Sequence, residues 1–149
     1  MYHSQIQDLE TTLHQEIPLT AAMGLTVDDY DGTSLTLSAA LERNSNHKAT
    51  AFGGSLYSVA VLSGWGLLYL KMKELELDGH IVIQESHIAY RQPVATRIVA
   101  CCIMPEENIM RGFTTLYRRR GLARIELYST VSLGDATAVE FSGKYVVHT

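Results

Sequence analysis

The chain is predicted to fold as one α+β domain in which an antiparallel sheet wraps around a single long, buried helix. Three observations carry that expectation. The stretch Gly53–Leu70 contains no charged residue. Runs of strand character lie on both sides of it. No linker, repeat or low-complexity tract divides the 149 residues, a length that suits one core and buries roughly two thirds of the unfolded surface. Residues 1–149 are therefore read as a single domain.

Each element follows from local pattern. Ile6, Leu9, Leu13 and Ile17 recur at helical spacing from Ser4 onward, and Pro18 ends or redirects that helix. Extended segments follow at Leu25–Asp31 and Thr33–Leu41. In the second, Leu35, Leu37 and Ala39 alternate with Ser34, Thr36 and Ser38, and Asp31 with Gly32 forms the turn between the two. A polar loop spans Arg43–Phe52. The long helix is predicted over Gly54–Leu75, with Lys71 and Lys73 placed at its negative end. Beyond Gly79, the segments Ile81–Tyr90, Ile98–Met104, Thr114–Tyr117, Ala123–Leu133 and Thr137–Val147 read as strands, the last two joined at Gly134 and Asp135. A curled sheet leaves edges to cover, so a homodimer or tetramer is expected.

Composition narrows the function. The net charge of −4 argues against a nucleic-acid binder. Cys101 and Cys102 are adjacent and offer no disulfide framework. The segment Met1–Glu16 lacks the apolar core of an export signal, so a reducing cytoplasm is expected. Gly53–Leu70 approaches the lower length of a membrane span. Its serines and glycines, and the want of a one-sided basic flank, favour instead the all-round apolar helix at the centre of a soluble fold.

The segment richest in chemistry is Asn44–Ser55, where a polar loop runs straight into the long helix. Gly53 and Gly54 let a substrate oxygen approach free backbone N–H groups at a positive helix end. A thioester carbonyl becoming an oxyanion or enolate is a group such donors stabilise. The same residues also suit a plain turn, with Thr50 or Ser55 as the helix cap.

The run Asn-His-Lys-x-Thr-Ala-Phe-Gly-Gly-Ser-Leu-Tyr, Asn46 to Tyr57, with Gly64-Trp65-Gly66 two turns later, resembles the thioesterase domain at the C-terminus of YiiD-type proteins, within the hotdog-fold acyl-thioester enzymes. The resemblance covers nearly the whole chain. It implies a sheet wrapped on a helix, a site between two subunits, a helix N-terminus as oxyanion donor, and acyl-CoA or acyl carrier protein (ACP) as substrate in fatty-acid metabolism. On that basis Gly53 and Gly54 are the expected oxyanion site, Asn46 and Thr50 orient the substrate, and His47 is a candidate base. Phe52 and Ser55 are candidate substrate contacts.

This chain departs from the family pattern twice. Phe52 stands where many relatives place a histidine before the two glycines, and no carboxylate lies between Arg43 and Lys73. Glu85 is the substitute candidate base, with His87 on the same strand face. The cluster Arg118, Arg119 and Arg120 suits the phosphates of coenzyme A or an acidic carrier. Lacking a helix carboxylate, the same oxyanion site also suits decarboxylation of malonyl-ACP, which activates no water. A non-catalytic acyl-thioester-binding module is the third reading. Gly53-Gly54-Ser55 is no nucleophile elbow, Gly64-Trp65-Gly66 no dinucleotide loop, and the histidines lack metal-ligand spacing, so neither a cofactor nor a metal is expected.

Overall fold

The computed structural model describes all residues, Met1–Thr149. Helices α1 (His3–Glu16) and α2 (Pro18–Ala22) precede strands β1 (Leu25–Tyr30) and β2 (Ser34–Ala39). The long helix α3 (Gly53–Glu74) leads to β3 (His80–Tyr90) and β4 (Ile98–Ile103). Helix α4 (Glu107–Arg120) then precedes β5 (Leu122–Leu133) and β6 (Ala136–His148). The strands form one six-stranded sheet in the order β1-β2-β4-β5-β6-β3, every neighbouring pair antiparallel. Its concave face closes on α3, which contacts β2, β3, β4, β5 and β6. This is the hotdog arrangement.

Small residues set how closely the sheet approaches. A Cβ at Gly64 would overlap the hydroxyl and ring of Tyr145, a side chain with no exposed surface. A Cβ at Gly66 would lie 2.8 Å from Leu35 and 3.1 Å from Leu9. Tyr145 donates its hydroxyl hydrogen to the Val61 carbonyl at 2.7 Å, so its polar tip is satisfied inside the core. Burial pushes that phenol well above its usual pKa and keeps it neutral. The uncharged character of α3 is thus explained by enclosure in protein. Leu67, Leu68 and Leu70 pack against the core-facing side chains of the sheet and α1.

One expected strand is a helix. Thr114–Tyr117, predicted extended from its threonines and tyrosine, lies within α4. The deciding period is 3.6, with Met110, Phe113, Thr114 and Tyr117 turned to one side and packed over β5. Glu107 in the first turn and Arg118–Arg120 in the last complement the helix dipole. Gly121 closes it in the left-handed region at φ 67°, its N–H bonded to the Tyr117 carbonyl. Smaller differences are one-residue shifts of α3 and the short helix begun by Pro18 at its first turn.

The two sheet edges are treated differently. On β1, α1 supplies the Glu10 carboxylate, which accepts from the Val27 N–H at 2.8 Å. On β3 nothing covers the outer edge, and most of its residues are exposed. Beside β3, helix α3 leaves Tyr57, Val61, Trp65 and Tyr69 half-buried, a stripe at four-residue spacing.

The β1–β2 turn is organised by one carboxylate. Asp31 accepts from the N–H groups of Thr33 at 2.9 Å and Ser34 at 2.7 Å, and these bonds lower its pKa to about 2. The folded pKa lies below the ordinary value, so the stabilisation is complete above about pH 4 and is lost as pH falls through about 2. An NMR titration of Asp31 will find its midpoint depressed, and Asp31→Asn will flatten the acid limb of stability. At the core, Gly64→Ala will lower stability by about 1–3 kcal/mol, despite alanine's better helix propensity, because the added methyl overlaps Tyr145. Urea unfolding of the variant checks this.

Candidate active site

The loop entering α3 is held by its own asparagines. Asn44, buried, donates from its side-chain amide to the carbonyls of Met23 at 2.9 Å and Ala40 at 2.7 Å. Its own carbonyl accepts from the Phe52 N–H at 2.7 Å, fixing the last residue before the helix. Asn46 is engaged at both ends of its amide. It donates to the Thr50 hydroxyl at 2.9 Å and accepts from the N–H groups of Lys48 at 2.8 Å and Thr50 at 3.2 Å. Ala49 is held at φ 60° within this turn, a conformation that costs a β-carbon residue about 1 kcal/mol or more. Asn46 and Thr50 therefore come together as expected, as a pair that shapes the loop. His47 is exposed on the same turn and forms no hydrogen bond through its ring.

The start of α3 is open. Phe52 precedes it in an extended conformation, and no side chain caps the helix. The N–H groups of Ser55 and Leu56 turn back to the Phe52 carbonyl, both at 3.0 Å. Those of Gly53 and Gly54 meet no acceptor within the protein. The Phe52 ring, more than half exposed, lies over Gly54, where a Cβ would be 2.5 Å from its edge. Neither Thr50 nor Ser55 caps the helix, so the two donors stay available. Alongside lies a cavity of about 300 Å³ bordered by Phe52, Gly54, Ser55 and Arg43. Arg43 is exposed and makes no ion pair, a cation the linear motif did not single out because it precedes the motif.

Strand β3 runs antiparallel to the first half of α3. Its register shifts between Ile83, opposite Tyr145, and Glu85, opposite Lys144. Gln84 is the extra residue of a β-bulge, and it inverts the facing of everything after it. Ile81 and Ile83 lie on the inner face before the bulge; Ser86, Ile88 and Tyr90 lie there after it. Ser86 meets the Tyr57 hydroxyl at 2.6 Å, and the Tyr90 hydroxyl donates to the Gly53 carbonyl at 3.0 Å. Glu85 and His87 consequently share the outer face, Glu85 3.9 Å from the Lys144 ammonium. His87 borders a shallow outer cleft of about 360 Å³ with Tyr128, Arg91 and Glu140. Within one protomer neither reaches the helix terminus. Tyr90 and Ser86 were hidden in the sequence because only the bulge turns them inward.

Arg118, Arg119 and Arg120 are also apart from Gly53 and Gly54. They end α4, where the Tyr117 hydroxyl donates to the Asp78 carbonyl just past the C-terminus of α3. The length of α3, 22 residues or about 33 Å, separates them from the glycines. Cys101 and Cys102 are free thiols of β4; burial pushes the Cys102 thiol up to about 12, which keeps it protonated and unreactive.

The family model described as "Putative thioesterase (yiiD_Cterm)" matches residues 6–149. A solved protein of unknown function from Chlorobaculum tepidum TLS is 36% identical, with a TM-score of 0.92, over 96% of this chain and 93% of that one. The structure of a "putative thioesterase" from Shewanella oneidensis is 28% identical, with a TM-score of 0.90, over 99% of both chains. A protein of Pseudomonas aeruginosa, named a "Probable Thioesterase", shares the fold at a TM-score of 0.81 and 19% identity, over 95% of this chain and 94% of that one. The sheet curled on α3, the open helix start behind Asn46–Tyr57 and the match over residues 6–149 together place this chain in the YiiD C-terminal thioesterase family of the hotdog superfamily.

Proposed function

We propose that this protein hydrolyses acyl-CoA or acyl-ACP thioesters of fatty-acid metabolism, with the N–H groups of Gly53 and Gly54 as its oxyanion donors. The observation that carries this reading is the uncapped start of α3, where two adjacent peptide donors have no partner in the protein. Aimed along a helix dipole, such donors favour the negative charge that grows on a thioester oxygen during attack. Asn46 and Thr50 hold the loop that presents them, and Phe52 and Ser55 border the cavity beside them. Arg43 is the nearby cation for a substrate phosphate.

The working unit in this reading is a homodimer in a reducing cytoplasm. The bare edge of β3 and the half-buried stripe Tyr57, Val61, Trp65 and Tyr69 support it, since a second copy pairing antiparallel through β3 covers both. Such pairing sets the Tyr90 end of one β3 beside the His80 end of the other. The Arg118–Arg120 cluster of one copy then approaches the glycines of its mate, where phosphates of coenzyme A or carrier are expected.

A second reading, malonyl-ACP decarboxylation, is favoured by one observation: α3 bears no carboxylate before Glu74, so nothing on the helix activates water. Intact mass spectrometry of malonyl-ACP and a medium-chain acyl-ACP after incubation with the protein separates the two. Release of free carrier thiol supports hydrolysis. Loss of carbon dioxide alone from the malonyl carrier supports decarboxylation, and no change in either form supports a binding module.

Two further outcomes are expected. Gly53→Pro deletes one donor while suiting the backbone, because proline is favoured at the first helical position and Phe52 already has the extended geometry required before it. Its kcat will fall by roughly 10²-fold or more, with far-ultraviolet circular dichroism unchanged. Val61→Glu places a charge in the α3 stripe, and light scattering will show dimers giving way to protomers of 16.5 kDa.

A further inference from the structure

The face of β3 turned inward by the bulge carries hydroxyl groups to the start of α3. Tyr57 follows Gly53 by four residues, so it shares that helix face, and helical side chains lean toward the N-terminus. Its ring stands edge-on to Phe141, with centroids 5.6 Å apart at 79°, which limits where the hydroxyl can go. That hydroxyl lies 2.6 Å from Ser86 Oγ, and either atom is able to donate. Tyr90 ties the adjacent Gly53 carbonyl to the same strand. In the single protomer Ser86 is exposed and Tyr57 half-exposed, and Tyr57 is the member of the α3 stripe nearest the helix start, so in the proposed dimer the pair lies at the end of the subunit seam beside Gly53. Glu85 and His87 point from the opposite face, and the carboxylate of α3, Glu74, is at its far end.

We infer that the hydroxyls of Tyr57 and Ser86 form the proton-transfer couple of the thioester site, in place of the absent carboxylate. The inference rests on the hydrolysis reading. Water oxygen bonds to the thioester carbon, and the carbonyl π pair moves to the oxygen held by the Gly53 and Gly54 N–H groups. When the tetrahedral intermediate collapses, the C=O bond reforms and the C–S bond breaks, its electron pair leaving with sulfur. The proton lost by the attacking water passes to Ser86 Oγ, the Ser86 proton to the Tyr57 oxygen, and the Tyr57 proton to sulfur. Acid and thiol are released, and both hydroxyls are restored without any further reactant. Relay through positioned groups of this kind is worth roughly 10²–10⁴-fold in rate.

The test uses the full chain, acyl-CoA and acyl-ACP thioesters of several chain lengths, and a thiol-release assay in H₂O and D₂O. Tyr57→Phe and Ser86→Ala are each expected to lower kcat by about 10²-fold with KM changed less than about threefold. Tyr57→Phe/Ser86→Ala should be no slower than the slower single variant, since the pair acts as a unit. Ser86→Thr should restore most of the rate, and the solvent isotope effect of the wild type should shrink in the hydroxyl-deleted variants. Should Tyr57→Phe fail to fold, the comparison of Ser86→Ala with Ser86→Thr decides alone. A wild type that hydrolyses thioesters, with Ser86→Ala within about twofold of it or Ser86→Thr as slow as Ser86→Ala, overturns the couple and leaves the hydrolysis reading standing. A wild type inert toward every ester overturns both.

Discussion

The rest of the structure depends on how closely the sheet can approach α3. Gly64 and Gly66 remove the side chains that would hold Tyr145, Leu35 and Leu9 away, and the helix axis is thereby fixed against five strands. Because α3 buries its sheet-facing side from Leu56 to Met72, its N-terminus is held in place, and the loop that enters it has a rigid body to be built upon. A long apolar helix does not by itself specify a position, since hydrophobic burial has no direction. Steric fit at two points supplies the missing specification.

From that fixed axis the site follows as a series of hydrogen bonds. Asn44 secures the start of the loop, Asn46 its turn, and the Phe52 N–H its end, after which two glycines are left with unpaired donors. A serine or aspartate at the capping position could have satisfied the Gly54 donor within the chain. Phe52 occupies it instead and accepts no hydrogen bond through its side chain. The energy forgone there is small on the scale of folding, and it leaves polar groups whose best partner is a ligand. Ala49, held at positive φ next to them, is a second place where the chain tolerates local cost beside its candidate site.

Much of this was legible in the sequence. Alternation identified β2, the uncharged run identified α3, and the two glycines after a polar loop identified the helix start. Helix α4 was misread because Thr114, Thr115 and Tyr117 have strand propensity, while its true period needed Phe113 and Met110 weighed together with them. The arginines were visible as a cluster, but linear spacing gave no sign that Tyr117 ties them to the opposite end of α3. For Glu85 and His87, alternation put the two on one face, as they are, while Gln84 sets which face that is. A bulge has no reliable mark in a single sequence, since its backbone is set by pairing with β6.

That bulge bears on how this surface diversifies. Each face of β3 carries a coherent set of residues: charged and imidazole groups outward, hydroxyl and apolar groups inward. Because a strand alternates with period two, losing the extra residue Gln84 itself would leave Ile83 opposite Tyr145 and Glu85 opposite Lys144, with both faces unchanged. Losing a residue between His87 and Tyr90 while both ends of the strand stay paired would instead carry Glu85 and His87 inward and expel Ser86. The chemical character presented to the helix start is therefore governed by where a single residue is inserted or deleted, a kind of change that leaves every side chain's identity intact and yet rewrites what the site contains.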